Sequence, residues 1–287
     1  MEPTPDVEIR RRIASNGPIT FAEFMEVALY HPNGGYYKHD RQDATYRDYY
    51  TSPSVHPAFS ALIAVHLETM WKALDEPAPF HVVEMGAGRG LMALDIAEYV
   101  RQHLAPFAQA MRYVAVDRET DETPHNVVGC VLSNELIDAF PIHRFEVTTG
   151  GLAELFVDVD SEGKFYSVVG EPSTPLLAQR LERLGIELPE GTRGEINLGI
   201  DPWARWVSEI IERGFVVTID YGHESKELYS SKRSRGTLQT YYKHTSGSSP
   251  YQWIGRQDIT AHVDFTTVIE EGRDVGLKSL CLMTQAE

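Results

Sequence analysis

Cysteine is nearly missing from these 287 residues. The two present, Cys130 and Cys281, make neither a metal-site spacing nor a disulfide framework. Each lies in an apolar run that reads as a buried strand, so both are expected to be buried, inert thiols. Long apolar runs are missing too. No stretch approaches the roughly 18 consecutive apolar residues of a membrane-spanning helix. The first twenty residues carry Glu2, Asp6, Glu8 and Arg10 to Arg12, with no signal-peptide apolar segment after them, and the cytoplasm is the expected compartment. Basic residues are scarce, 26 Lys and Arg against 42 Asp and Glu, for a formal charge of -16. Such a surface repels a phosphate backbone, which argues against nucleic acid as a partner. It favours solubility and can also steer a basic substrate inward. No internal repeat is present.

What is there changes character along the chain. Residues 7–14 read as a short helix stopped by Asn16-Gly17-Pro18. Thr20 opens a second helix, with Glu23 at capping-box spacing. The stretch from Tyr36 to Ser54 is irregular and rich in tyrosine, either a packed seam or a lid. From Pro57 to Leu74, Phe59, Leu62, Ile63, Leu67, Met70, Trp71 and Leu74 recur at helical spacing and predict one buried stripe. After Pro77 and Pro79 the pattern becomes strand, helix, strand: strands at 81–85, 113–116, 127–132 and 215–219, with a helix over 91–100. That alternation predicts a mostly parallel sheet covered on both faces. Residues 143–170 alternate like an antiparallel excursion with a turn at Ser161-Glu162-Gly163. Residues 201–212 read as a helix with Asp201 as N-cap and Pro202 at its first position, 223–250 as a polar mobile loop, and 277–283 as a strand. The domain reading is 1–76 as an N-terminal helical cap and Tyr-rich lid. Residues 77–287 follow as the core, with an insertion over about 143–200.

The chemistry concentrates where strands end. Glu84-Met85-Gly86-Ala87-Gly88-Arg89-Gly90 follows the first strand, where an open α/β sheet binds its ligand. Glycines let the backbone turn sharply and approach a ligand closely. The spacing is G-x-G-x-G, one residue shorter than the dinucleotide fingerprint, with an acid two residues upstream that can meet an ammonium group. This is the pattern of S-adenosylmethionine sites, and Glu84, Gly86, Ala87, Gly88 and Gly90 are the candidate cofactor residues. Asp117 ends the second strand and can accept both ribose hydroxyls. Ser133-Asn134-Glu135-Leu136-Ile137-Asp138 follows the third and is placed to receive a substrate beside the transferred methyl.

The chain resembles the MidA family, whose mitochondrial members are protein-arginine methyltransferases that assist respiratory complex I assembly. The resemblance rests on stretches that run in order. They are Gly17-Pro18-Ile19-Thr20, Tyr30-His31-Pro32 with Gly35-Tyr36-Tyr37, Tyr50-Thr51-Ser52-Pro53, and Val83 to Gly90. After these come Ser133-Asn134-Glu135 through Asp138-Ala139-Phe140-Pro141, Ile219-Asp220-Tyr221-Gly222, Gly236-Thr237-Leu238, and Asp258 to Phe265. It implies a class I Rossmann-like methyltransferase of the α/β class with S-adenosylmethionine as cofactor. Glu135 and Asn134 are the implied catalytic residues. Asn134 and Thr51 join the cofactor set, and Tyr37, Asp138, Asp220, Tyr221 and His262 are expected to meet substrate, with Asp264 on the same rim. The stretch from Asp117 to Val131 is shorter than in the family, where a helix usually covers the adenine. If nothing follows Glu287, the strand expected at 277–283 has a bare edge, which a homodimer or some other element is expected to cover.

Three functions compete: a protein-arginine methyltransferase acting on a protein such as a respiratory-complex subunit, a small-molecule methyltransferase, and a non-catalytic assembly factor. A protein substrate predicts an open acidic groove and a small one a closed pocket. His262 and Asp264 could be read as metal ligands, but two ligands without a third are weak; Asp264 can instead cap the helix that starts near Phe265. The mitochondrial matrix replaces the cytoplasm for a eukaryotic member.

Overall fold

A computed structural model describes residues 3–38, 56–118, 124–243, 245–247 and 249–286. They form two compact units, each traced by separate stretches of chain: residues 1–49, 137–201 and 221–270 in one, 50–136, 202–220 and 271–287 in the other.

In the first unit, helix α1 (Pro5–Asn16) leads to the short strand β1 (Ile19–Thr20) and helix α2 (Phe21–Tyr30). The expected capping box is present. Thr20 Oγ1 accepts the Glu23 N–H at 3.1 Å, and Glu23 Oε2 accepts the Thr20 N–H at 2.9 Å. Two otherwise orphaned donors at the helix start are satisfied this way. Almost every side chain of α2 is apolar, so it is buried nearly all round: Phe21, Phe24, Met25, Val27, Ala28 and Leu29 pack with Ile9, Ile13 and Val157.

The antiparallel excursion is there as β5 (His143–Thr148), β6 (Gly151–Val159) and β7 (Phe165–Gly170), joined to β8 (Arg193–Ile196) in the order β1-β6-β5-β8, with β7 also paired to β6. Residues 160–164 make the expected tight turn, with Gly163 N–H on Asp160 O at 3.0 Å. The polar stretch 223–250 is more ordered than its composition suggests. It holds a short helix (Ser225–Leu228) and β10 (Gln239–Tyr242), which pairs antiparallel with β11 (Thr245–Gly247) and β12 (Asp258–Thr260). Elements of three or four residues are too short to show a period.

The second unit carries the parallel sheet: β2 (Phe80–Met85), β3 (Met111–Val116), β4 (Val127–Asn134) and β9 (Ile211–Ile219), in the order β3-β2-β4-β9, every neighbour parallel. The chain crosses from β2 to β3 on one side and returns to β4 on the other. That reversal is a topological switch point, and all carboxyl ends share one edge. Helix α3 (Pro57–Ala73) buries Ser60, Ala64, Leu67 and Trp71. This stripe is rotated from the expected one: Leu62 is 64% exposed, while Phe59, Ile63, Met70 and Leu74 pack at its margin. The small Ser60 and Ala64 permit a close approach that the apolar spacing did not reveal. Helix α4 (Leu91–His103) follows the glycine loop, as expected, and the predicted helix at 201–212 runs over Ile200–Ile210 before the chain enters β9.

Two expectations fail at the carboxyl end. Residues 277–283 form no strand; they pair with no ladder among the described residues, and a strand exists only through such pairing. Leu280, Leu282 and Met283 are exposed there, and so is Cys281, unlike the buried Cys130. The apolar composition that suggested a buried strand is therefore not spent on burial, and the bare edge expected at 277–283 loses its basis.

Thr20→Ala removes the cap and should lower stability by about 1 kcal/mol, read from the urea midpoint. An unchanged midpoint would show that the packed face of α2 holds its first turn without the box.

Candidate functional site

The edge formed by the carboxyl ends of β3, β2 and β4 gathers the candidate residues of the second unit. Met85 pairs with Val116 on one side and with Ser133 on the other. Three exits of chain therefore stand side by side: Gly86 after β2, Asp117 after β3, and Asn134-Glu135 at the end of β4.

The loop after β2 turns through three left-handed glycines, Gly86 (φ 67), Gly88 (φ 55) and Gly90 (φ 70). The Gly86 N–H reaches Val116 O at 2.9 Å, and Gly90 N–H closes on Ala87 O at 2.8 Å. A Cβ at Gly86 would lie 2.8 Å from Leu136 Cδ1, so this glycine is needed for packing as well as for its turn. At Gly88 and Gly90 an added Cβ would meet nothing closer than 3.9 Å, which leaves the loop an open face. Gly90 is also the N-cap of α4, whose first N–H groups point toward the loop.

Glu84 sits on β2 rather than on the loop and is 4% exposed. Its Oε2 accepts the Tyr113 hydroxyl at 2.8 Å. Burial raises its pKa, and the Tyr113 hydrogen bond opposes that. Tyr113, on β3, was not recognised from the sequence. A single phenol in the strand Met111-Arg112-Tyr113-Val114-Ala115-Val116 was the available signal. Asp117 is exposed, and its Oδ1 accepts the Arg118 N–H at 2.7 Å.

Asn134 Nδ2 lies 3.5 Å from Glu135 Oε1, and Asn134 Oδ1 is sealed from solvent with no donor among the described residues. Glu135 gives its N–H to Ile219 O at 2.8 Å and takes φ 49, a left-handed conformation that non-glycine residues seldom adopt. Asp220 follows β9 at the same edge.

The remaining candidates belong to the first unit. Tyr37 stacks on Tyr30 with ring centroids 5.4 Å apart, and its hydroxyl donates to Asp258 Oδ1 at 2.9 Å. Burial, then the charges of Asp258 and Asp138, push its phenol pKa well up. Asp138 is 3% exposed; burial pushes its carboxyl up to about 6, against the Tyr221 hydrogen bond and backbone donors. His262 lies 6.1 Å from the Tyr221 ring and 5.3 Å from the His223 ring, with Nδ1 sealed and without a partner among the described residues. Burial, followed by the nearby His223 and Arg233, lowers its pKa, so the ring is neutral at neutral pH. Asp258, not singled out in the sequence, is the acceptor that holds the Tyr37 hydroxyl. Asp264 is the expected helix cap: Oδ1 accepts Thr266 N–H at 3.1 Å and Ser225 Oγ at 2.6 Å, and Oδ2 accepts Thr267 Oγ1 at 2.8 Å. Its oxygens are committed to that cap. Thr51 lies outside the described residues.

Known proteins bear on these residues. A family model described as S-adenosyl-L-methionine-dependent methyltransferase matches residues 62–123 and 118–283. The chain is 28% identical to the mitochondrial protein arginine methyltransferase NDUFAF7 homolog of Drosophila melanogaster, over 91% of this chain and 68% of that one. It is 27% identical to the mitochondrial protein arginine methyltransferase NDUFAF7 of Rattus norvegicus, over 89% and 66%. It therefore spans about two thirds of the length of these relatives. A crystal structure from Burkholderia thailandensis bound to S-adenosyl-homocysteine is similar with a TM-score of 0.80 and 29% identity, covering 95% of this chain and 76% of that one.

Replacing Asp117 with Ala removes a charged acceptor at the end of β3. S-adenosylhomocysteine should then bind roughly ten- to a hundredfold more weakly by calorimetry, the size of a lost charge-assisted hydrogen bond. An unchanged dissociation constant would mean that the ribose is held elsewhere.

Proposed function

Because the chain belongs to the S-adenosyl-L-methionine-dependent methyltransferase family, whose model matches most of its length, we propose that it methylates arginine in a protein substrate. The relatives' names support the choice of arginine. The observation that carries the reading is the left-handed Glu135 beside the glycine loop's edge. A residue that N-caps the helical turn after it takes extended backbone angles. A glutamate held at φ 49 pays strain, which is more often kept for a site than for a cap.

The residues fit the cofactor. The open face at Gly88 and Gly90 lets backbone touch a ligand. The sealed, unpartnered Asn134 Oδ1 is an acceptor that costs free energy until a donor reaches it. Glu84, Gly86, Ala87, Gly88, Gly90, Asp117 and Asn134 would hold the group, with Thr51 as a further contact. S-adenosylmethionine supplies an electrophilic methyl when bound.

The chain must supply the nucleophile's orientation. Arginine is a poor nucleophile because its pKa exceeds about 12. The Glu135 carboxylate grips the guanidinium, turns one nitrogen toward the methyl and holds positive charge on the other two. Asn134 steadies Glu135 through the 3.5 Å contact. Positioning of this kind can remove up to roughly 7–11 kcal/mol of barrier. Asp220 is the proposed substrate contact at this edge, Tyr37, Asp138, Tyr221 and His262 are the proposed substrate residues of the first unit, and the acidic net charge draws a basic substrate in. The substrate in this reading is a protein such as a respiratory-complex subunit. For the compartment, the relatives' names support the mitochondrion, and the cytoplasmic expectation has no support from them.

Glu135→Gln keeps the shape and removes the charge. Labelled methyl transfer to protein arginine should fall about a hundredfold, with S-adenosylhomocysteine affinity within a few-fold of the parent. A fully active variant would remove Glu135 from the chemistry, and label appearing only in small molecules would remove the arginine assignment.

Asp138 sets a pH dependence. Burial disfavours its charged form, so the carboxyl is protonated below about 6 and charged above it. The guanidinium stays charged throughout, so pairing requires higher pH. The kcat/KM for an arginine peptide should rise through about pH 6 and then level, because kcat/KM reports the free enzyme's groups. In Asp138→Asn that limb should vanish; a limb that persists would assign it to another group.

A further inference from the structure

A concave pocket of about 450 Å³ opens in the first unit and is lined by Arg144, Glu146, Gly191, Arg193, Ser234 and Arg235. Its volume is within the usual range for small-ligand sites. Its lining is not usual for this chain. The protein as a whole has 42 acids against 26 Lys and Arg, yet here three arginines face one glutamate.

The register explains how the arginines converge. β5 and β8 are antiparallel neighbours, with Arg144 opposite Glu195 and Glu146 opposite Arg193. Residues two apart on a strand share a face, so Arg144, Glu146, Arg193 and Glu195 all stand on one side. The chain near Arg235 then runs beside β8 in a parallel bridge, which sets Arg193 and Arg235 next to each other. The Arg193 N–H on Ser234 O at 2.9 Å fixes that approach. Glu195 adds a second anchor by accepting the Thr237 N–H at 2.7 Å, which needs Gly236, where a Cβ would lie 2.2 Å from Glu195 Oε1.

The charges on this wall do not cancel. Glu146 is taken by Arg193, whose Nε and Nη2 both lie 2.8 Å from its Oε2. Glu195 accepts from Thr237 and also faces Arg144, its cross-strand partner, so three arginines meet two acids on this wall and one positive charge is left over. Arg144 is held in place by the face of Phe21, 5.1 Å from the ring centroid, and its Nε is sealed without an acceptor among the described residues. Arg235 is exposed and forms no ion pair among the described residues. Arg193 and Arg235, side by side across the bridge, carry like charges that repel one another. An anion bridging them removes that cost and gains forked, charge-assisted hydrogen bonds.

We infer that this pocket binds a phosphate group, free or carried as the ester of a small molecule. No aromatic or aliphatic residue is among the lining, so it recognises charge and oxygen geometry rather than a ring. A guanidinium pair flanked by the Ser234 hydroxyl suits a tetrahedral dianion. The net charge of the chain works against casual capture of anions, so binding depends on these converging donors.

Calorimetry at constant ionic strength tests it with three probes: orthophosphate, pyrophosphate and glucose 6-phosphate. At least one should bind saturably below about 10 mM, and the tightest arm tells free phosphate from an ester. Arg235→Gln should weaken that binding about tenfold or more, the effect of one lost charge-assisted contact. Arg235→Lys, which keeps the charge and loses the fork, should fall between. Because Arg235 is exposed and makes no ion pair, the unliganded melting temperature and S-adenosylhomocysteine affinity should stay as in the parent. No saturable binding of any probe, or binding that Arg235→Gln leaves untouched, would overturn the assignment.

Discussion

Met85 pairs with Val116 on one side and Ser133 on the other, and this double parallel register decides what stands at the carboxyl edge of the sheet. A slip of one residue on either strand would turn its side chains to the opposite face. With the register as it is, the glycine turn, Asp117 and Asn134-Glu135 leave three adjacent strands together. Register is held by burial: Val82, Val83, Cys130, Val131 and Leu132 are almost wholly enclosed, and near-continuous apolar strands of this kind belong to the middle of a parallel sheet. The apolar runs thus position the polar residues that follow them.

The buried acids share a second constraint. Glu84 leans on the Tyr113 hydroxyl, Asp138 on Tyr221, and Glu195 on the N–H and hydroxyl of Thr237. Desolvation raises the pKa of all three. Around Glu84 and Asp138, hydroxyl and backbone donors satisfy lone pairs without bringing a full positive charge, and at Glu195 the nearby Arg144 still does not outweigh burial, so the cost is only partly offset. For Asp138 this leaves a carboxyl whose charge responds near pH 6 and which a cationic ligand can stabilise.

How much of this was legible follows from where the signals are strong. The four parallel strands, the helix after the glycine loop, the Thr20-Glu23 box and the hairpin at 161–163 all declare themselves by periodicity or turn chemistry over several residues. The stretches that misled are those where composition outran context. The run Leu277 to Met283 is apolar enough for a strand, but a strand needs a partner, and local sequence does not encode one. Leu62 has helical spacing yet faces outward, because the closest packing is set by the small Ser60 and Ala64. At Gly86 the reason for glycine is partly Leu136, fifty residues on, which no local pattern could reveal. Tyr113 and Asp258 were missed because each gains its role only from a long-range partner, Glu84 in one case and Tyr37 in the other.

The central claim is that the cofactor sits at the edge set by that double register. Hydrogen exchange with and without S-adenosylhomocysteine tests it directly, because amides that a ligand covers exchange more slowly. Among the described residues, slowed exchange should concentrate in three separate stretches, 86–91, 117–118 and 134–136, and respond together with one saturation curve. Binding that leaves those stretches unchanged, or protects only the antiparallel strands of the first unit, would contradict the account.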